Sequence, residues 1–205
     1  MSKHSNLVTQ SIQITCFSIK IHKSGGKWSK KLYLQILVIL SMKTLYIIRH
    51  AKAEHQQLGQ TDFDRSLTFL GTEQAQASAR ILERELAPYP TTATGIITSD
   101  APRALQTAEI FCETLNIPPS ALQQEPRIYE AHYLQILKVI NDISANYDQV
   151  LLFGHNPGLS DLITYVTNSP VSLRTSEIGC LTLDEGTDFS TLSANTASLK
   201  SVIGR

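Results

Sequence analysis

From residue 42 onward, short unbroken apolar runs alternate with longer segments whose apolar residues recur every three to four positions. TLYII (44–48), GIIT (95–98) and VLLF (150–153) lack the polar-apolar alternation of a half-exposed strand. Each reads as a strand covered on both faces. After the first run the spacing predicts a helix from Leu70 to Leu86, capped by Thr68 and ended by Pro88 and Pro90. Its expected apolar stripe is Leu70, Ala77, Ile81 and Leu82. A second helix is predicted from Pro102 to Leu115, with Pro118 and Pro119 stopping it. A loop to Tyr129 leads into a third helix, YLQILKVINDI (133–143), and a fourth runs from Leu159 to Val166. The chain then changes character. IGCLTLDEGTDFSTLSANT (178–196) holds two β-like runs around an acidic, glycine-containing turn, which predicts a hairpin.

Short buried strands alternating with helices define an α/β protein, here a three-layer α/β/α sandwich with a largely parallel central sheet and a C-terminal β-hairpin at its edge. Residues 42–205 form one domain in this reading, long enough for a sizeable core. Residues 1–41 differ in composition, with six Lys and no Asp, Glu or Arg. MKTLYIIRHA, from Met42, has the look of a protein start, so 1–41 is expected to be a disordered or mis-assigned N-terminal extension, dispensable for function. The apolar run 32–41 is too short to span a bilayer, and no clean cleavage site follows it. The expected location is cytoplasmic, with no membrane association.

Charge sharpens the picture. Residues 42–205 carry all 18 acidic residues against 12 Lys and Arg, about −6. Nucleic acid is therefore not an expected partner, and any bound anion must be held by local positive charge. Cys16, Cys112 and Cys180 lack the spacing of a disulfide framework or a thiolate metal site. The sequence fits a monomer without fixing an oligomeric state.

In such sheets ligands bind beyond the carboxyl ends of the strands. Arg49-His50 follows the first strand, Thr98-Ser99-Asp100 with Arg103 follows the second, and Gly154-His155-Asn156-Pro157 follows the third. Two arginines and two histidines thus meet at one rim. Paired guanidinium groups suit a phosphoryl group, and a neutral histidine is a competent nucleophile toward phosphorus. The pattern points to phosphoryl transfer to a histidine followed by attack of water. Arg103, in the first turns of its helix, opposes the helix dipole and so needs a compensating anion, for which a bound phosphoryl group is the expected candidate. Ser99 is expected to shape its loop or donate a hydrogen bond, and Lys52 to add positive potential.

The three clusters, LYIIRHA (45–51), TSDAPRALQTAE (98–109) and FGHNP (153–157), resemble in order and spacing the motifs of the histidine phosphatase superfamily, the phosphoglycerate mutase-like branch. DRSLTFLG (64–71) and IYEA (128–131) are similar to segments of the small SixA-type phosphohistidine phosphatases, the former to D-x-x-R-x-L-T-x-x-G with the arginine displaced. The resemblance implies that His50 is phosphorylated during turnover. It implies that Arg49, Arg103 and His155 bind the phosphoryl group, with His155 stabilising the transition state, and that neither metal nor cofactor is required. Asn156 is expected to orient His155 or touch the ligand.

Many relatives place a proton-donating carboxylate before the late histidine. Glu130 fills that interval, although it reads equally as a solvated loop residue, and Glu54 and Asp100 are further candidates. SixA-type enzymes lack a defined acid, since a histidine leaving group accepts its own proton. The expected substrate is a phosphorylated protein, with a small phosphorylated metabolite as the alternative. A non-enzymatic phosphate-binding scaffold is the other class to separate. His55, His132, His4 and His22 have no comparable context.

Overall fold

In the computed structural model, residues 8–14, 17–23, 42–86 and 94–204 are described. The apolar run 32–41 and the prolines Pro88 and Pro90 lie outside the described residues. The chain divides into two units, Met1–Met42 and Lys43–Arg205. In the first, β1 (Val8–Ile14) pairs antiparallel with β2 (Phe17–Lys23).

The second unit contains, in chain order, β3 (Thr44–Arg49), α1 (Phe69–Leu86), β4 (Thr94–Thr98), α2 (Pro102–Thr114), β5 (Leu122–Gln124), α3 (Tyr133–Asn141), β6 (Gln149–Gly154), α4 (Gly158–Thr167), β7 (Ile178–Leu183) and β8 (Ala197–Ile203). The sheet order is β5-β4-β6-β3-β7-β8. β5, β4, β6 and β3 run parallel, while β7 pairs antiparallel with β3 and with β8 at the edge.

The apolar strand runs are explained by burial on both sides. Leu45 and Ile47 of β3, with Val150 and Leu152 of β6, join the core beneath α3 and α4. Tyr46 and Ile48, with Leu151 and Phe153, face the opposite core against α1 and α2. Successive side chains of a strand point to opposite faces, so covering both faces requires every position to be apolar. The result is the α/β/α sandwich that the alternation predicts.

Three details depart from the sequence reading, the first being β5 (Leu122–Gln124), an edge strand inside the segment read as a loop to Tyr129. In α1 the buried face is Gly71, Ala75, Ser78, Ala79, Leu82 and Leu86, whereas Leu70, Ala77 and Ile81 are exposed. The helix packs closely through small residues, so its large apolar side chains are a poor guide to the buried stripe. Gly71 explains the approach, because a Cβ there would overlap the Lys52 carbonyl. In the C-terminal hairpin, the second β-like run (189–196) is a 3-10 turn (Phe189–Thr191) and loop, and the partner strand is ASLKSVI, from Ala197. Asp188 and Thr191 form a reciprocal capping box there, which satisfies the backbone locally and takes that segment out of the sheet.

Candidate active site

β3, β4 and β6 are adjacent and parallel, so their carboxyl ends open on the same rim. The Arg49 amide donates to Glu177 O and the His50 amide to Gly154 O, extending β3 into the site. Ser176, in the left-handed region at φ 63°, turns its amide onto the Arg49 and His50 carbonyls. The Arg49 side chain donates from Nη1 to Leu173 O at 2.9 Å, and its buried Nε has no partner.

His50 is buried, and its Nδ1 lies 2.8 Å from Ala51 O. A carbonyl only accepts, so Nδ1 carries the hydrogen and Nε2 keeps its lone pair. Burial, reinforced by Arg103, Arg49 and Arg65 and opposed by the Ala51 hydrogen bond, pushes the His50 pKa down to about 4. The imidazole is therefore neutral at physiological pH, with a lone pair available to an electrophile.

The His155 ring centroid lies 5.1 Å from that of His50, and the Tyr129 ring packs edge-on against it. His155 Nε2 is 3.0 Å from Ser99 Oγ, while Nδ1 is buried without a partner. Burial, then the neighbouring His50, Arg103 and Arg49, depress its pKa to about 3 against the opposing pull of Asp62.

Pro102 starts α2, and Arg103 follows it, almost fully buried. The anion that its place near the helix N-terminus demands is Asp62. Arg103 Nη2 donates to Asp62 Oδ2 at 2.8 Å, and Nη1 donates to the Asp62 carbonyl at 2.6 Å. Arg65 reaches Asp62 Oδ1 at 2.8 Å, and the Tyr129 hydroxyl donates to Oδ2 at 3.2 Å. Burial opposes the charged carboxylate, but the two arginines and the tyrosine outweigh it and hold Asp62 below its ordinary range. Arg103 Nε remains buried and unpaired.

The sequence reading missed Asp62, Arg65 and Tyr129. The signal was present, but displaced by two residues. Anchored on Asp62 rather than Asp64, DFDRSLTFLG (62–71) fits D-x-x-R-x-L-T-x-x-G with no displaced arginine.

The remaining candidates differ in their surroundings, and the hydrogen-bond partners of Asn156 are Leu173 and Ser160 instead of the expected His155. Asn156 Nδ2 donates to Leu173 O at 2.8 Å, the acceptor it shares with Arg49, and Asn156 Oδ1 accepts from Ser160. Glu130 is exposed at φ 47° and lines a cavity of about 380 Å³ together with His155 and Asn156. Gly158 permits that arrangement, since a Cβ there would overlap the Ala131 carbonyl. Glu54 contributes its carbonyl to Arg65, and Asp100 Oδ1 is buried without a partner. His132 caps α3 through Nδ1, and His55 is exposed. Lys52 is exposed, with its carbonyl accepting from Thr68.

The ends of β3, β4 and β6 thus gather two neutral histidines with Arg49 and Arg103, and Arg65 joins them through Asp62, an arrangement suited to binding a phosphoryl group. The model of the histidine phosphatase superfamily (branch 1) matches residues 45–151, and the chain belongs to that family. Its fold is similar to that of a SixA protein from Nakamurella multipartitia, at 21% identity and TM-score 0.64, over 78% of this chain and 95% of that one. A SixA protein from Agrobacterium tumefaciens gives 22% and 0.64 over 80% and 98%. The protein histidine phosphatase SixA complexed with tungstate gives 23% and 0.60 over 77% and 97%. No curated protein matches the chain.

Proposed function

We propose that the protein is a metal-independent phosphatase that works through a covalent phosphohistidine at His50, and that its substrate is a phosphohistidine on a partner protein. The observation that carries this reading is the His50 ring, neutral and hydrogen-bonded at Nδ1 to Ala51 O, beside Arg49, Arg103 and Arg65. Nε2 attacks phosphorus, and the bond from phosphorus to the substrate's imidazole nitrogen breaks. As the His50 ring acquires positive charge, the Ala51 carbonyl stabilises it. The leaving imidazole takes a proton from solvent and departs neutral. Water then attacks phosphorus, the bond to His50 Nε2 breaks, and inorganic phosphate leaves.

Arg49 and Arg103 bind the phosphoryl oxygens, and each carries a buried Nε without a partner. His155 supports the transition state. Asn156 steadies Arg49 through their shared acceptor. Glu130 is the proton donor when the leaving group is an alkoxide rather than an imidazole. The segment between α2 and β6 carries only 3-10 turns, β5 and α3. A site without a covering subdomain suits a folded protein surface, in a cytoplasmic setting.

The same openness admits small phosphomonoesters, which is the second reading. A panel of one phosphohistidine protein and several small esters separates the two. The first reading requires kcat/KM for the phosphohistidine protein to exceed that for every ester by at least tenfold. Equal or higher values for an ester overturn the protein-substrate assignment. Absence of hydrolysis on the whole panel favours the non-enzymatic scaffold.

A further inference from the structure

We infer that Ser99 is a positioning residue that selects the tautomer of His155, so that His155 presents a hydrogen-bond donor rather than a lone pair to the phosphoryl group. Ser99 is fully buried at the end of β4, with its amide held by Phe153 O. Its Oγ accepts from the Ala101 amide at 3.3 Å and lies 3.0 Å from His155 Nε2. Among the described residues, His155 Nε2 is the one acceptor that the Ser99 hydroxyl hydrogen meets.

Two arrangements are conceivable for a neutral imidazole. If Nε2 carried the hydrogen, it would donate to Ser99 Oγ. The serine hydrogen would then be buried without an acceptor, and the Nδ1 lone pair buried without a donor. If Nδ1 carries the hydrogen, Ser99 donates to Nε2 while still accepting from Ala101, and the Nδ1 hydrogen alone is unpaired. Buried polar groups are rarely left unpaired, so the arrangement with one orphan is favoured over that with two. The remaining orphan is a donor on a ring whose centroid lies 5.1 Å from that of His50, and a phosphoryl group carried by His50 supplies the acceptor it lacks. The choice matters because His155 is held neutral and has a single hydrogen to offer. In the other tautomer it would turn a lone pair toward a negatively charged oxygen.

The test is nitrogen-15 histidine NMR on the full chain, with His155 assigned by the signals lost in His155→Gln. The expected wild-type pattern is hydrogen on Nδ1, and hydrogen on Nε2 overturns the inference. In Ser99→Ala the His155 signals should shift toward a mixture of tautomers. kcat should fall roughly 10- to 100-fold, with KM changing far less, as for an interaction realised in the transition state. Ser99→Thr, which keeps the hydroxyl, should restore most of the loss. Unchanged kcat in Ser99→Ala also overturns the inference. Should that variant not fold, the wild-type spectrum still decides. Ser99's role belongs to the phosphoryl-transfer reading above. The spectrum reports the tautomer whether or not the protein turns over, so a wrong tautomer overturns only the former and absent turnover only the latter.

Discussion

Acidification should destabilise the fold through His50, by an amount that its environment sets. The side chain is buried and its pKa lies at about 4 in the folded protein, against 6.5 in the unfolded chain. As pH falls from 6.5, the unfolded chain binds a proton at this residue and the folded protein does not. Stability is therefore fully present above about pH 6.5, falls through the window between 6.5 and 4, and levels off below it. The difference corresponds to about 3 kcal/mol, at roughly 1.4 kcal/mol for each pKa unit. Carboxylates and His155, whose pKa burial also depresses, titrate in the same region, so the measurement must isolate His50. Urea unfolding of wild type and His50→Asn between pH 7.5 and 4 does so, because asparagine keeps a donor near Ala51 O and does not titrate. Relative to the variant, wild type should lose about 3 kcal/mol across the window. Parallel stability curves would refute the assignment of a buried, neutral His50.

Asp62→Ala removes the side-chain anion shared by Arg103 and Arg65 while leaving the backbone contact from Arg103 to the Asp62 carbonyl. Steady-state kinetics should show kcat/KM falling about tenfold, equivalent to roughly 1.4 kcal/mol of lost orientation. A change under twofold would mean that Asp62 does not orient Arg103. Glu130→Gln should leave turnover of a phosphohistidine protein within about twofold and slow alkyl phosphate hydrolysis on the order of 100-fold, since only the latter requires a proton donor. Equal effects on both would remove Glu130 from that role. Removal of residues 1–41 should leave kcat/KM unchanged, because every site residue lies in the Lys43–Arg205 unit, and a marked loss would contradict the proposal that they are dispensable.

The sheet was legible in the sequence because its central strands are covered on both faces. That leaves an unbroken apolar run at 44–48, 95–98 and 150–153 and places the polar clusters at strand ends, where an α/β fold binds ligands. The rim residues Arg49, His50, Arg103 and His155 come together for that reason. α1 was harder to phase, because Gly71, Ala75 and Ala79 bury little side chain while Leu70 and Ile81 face outward. The contribution of Asp62 was legible only through the D-x-x-R-x-L-T-x-x-G motif and not through hydrophobic periodicity. It depends on a loop folding back over some forty residues of sequence to reach Arg103, and hydrophobic periodicity does not encode loop paths. The helix dipole argument at Arg103 called for an anion and expected a bound phosphoryl group, whereas in this structure the protein's own Asp62 supplies the negative charge. Nor did sequence disclose the partners of Ser99, since a serine at a strand end carries no mark of the histidine that another strand delivers to it.

The most direct test of the central claim is to trap the phosphoenzyme. After rapid mixing with substrate and an alkaline quench, peptide mass spectrometry should find a phosphoryl group on His50. It should be stable to base, lost in acid, and absent when His50→Ala is treated in the same way. A phosphoryl group on another residue, or undiminished turnover by His50→Ala, would contradict the account.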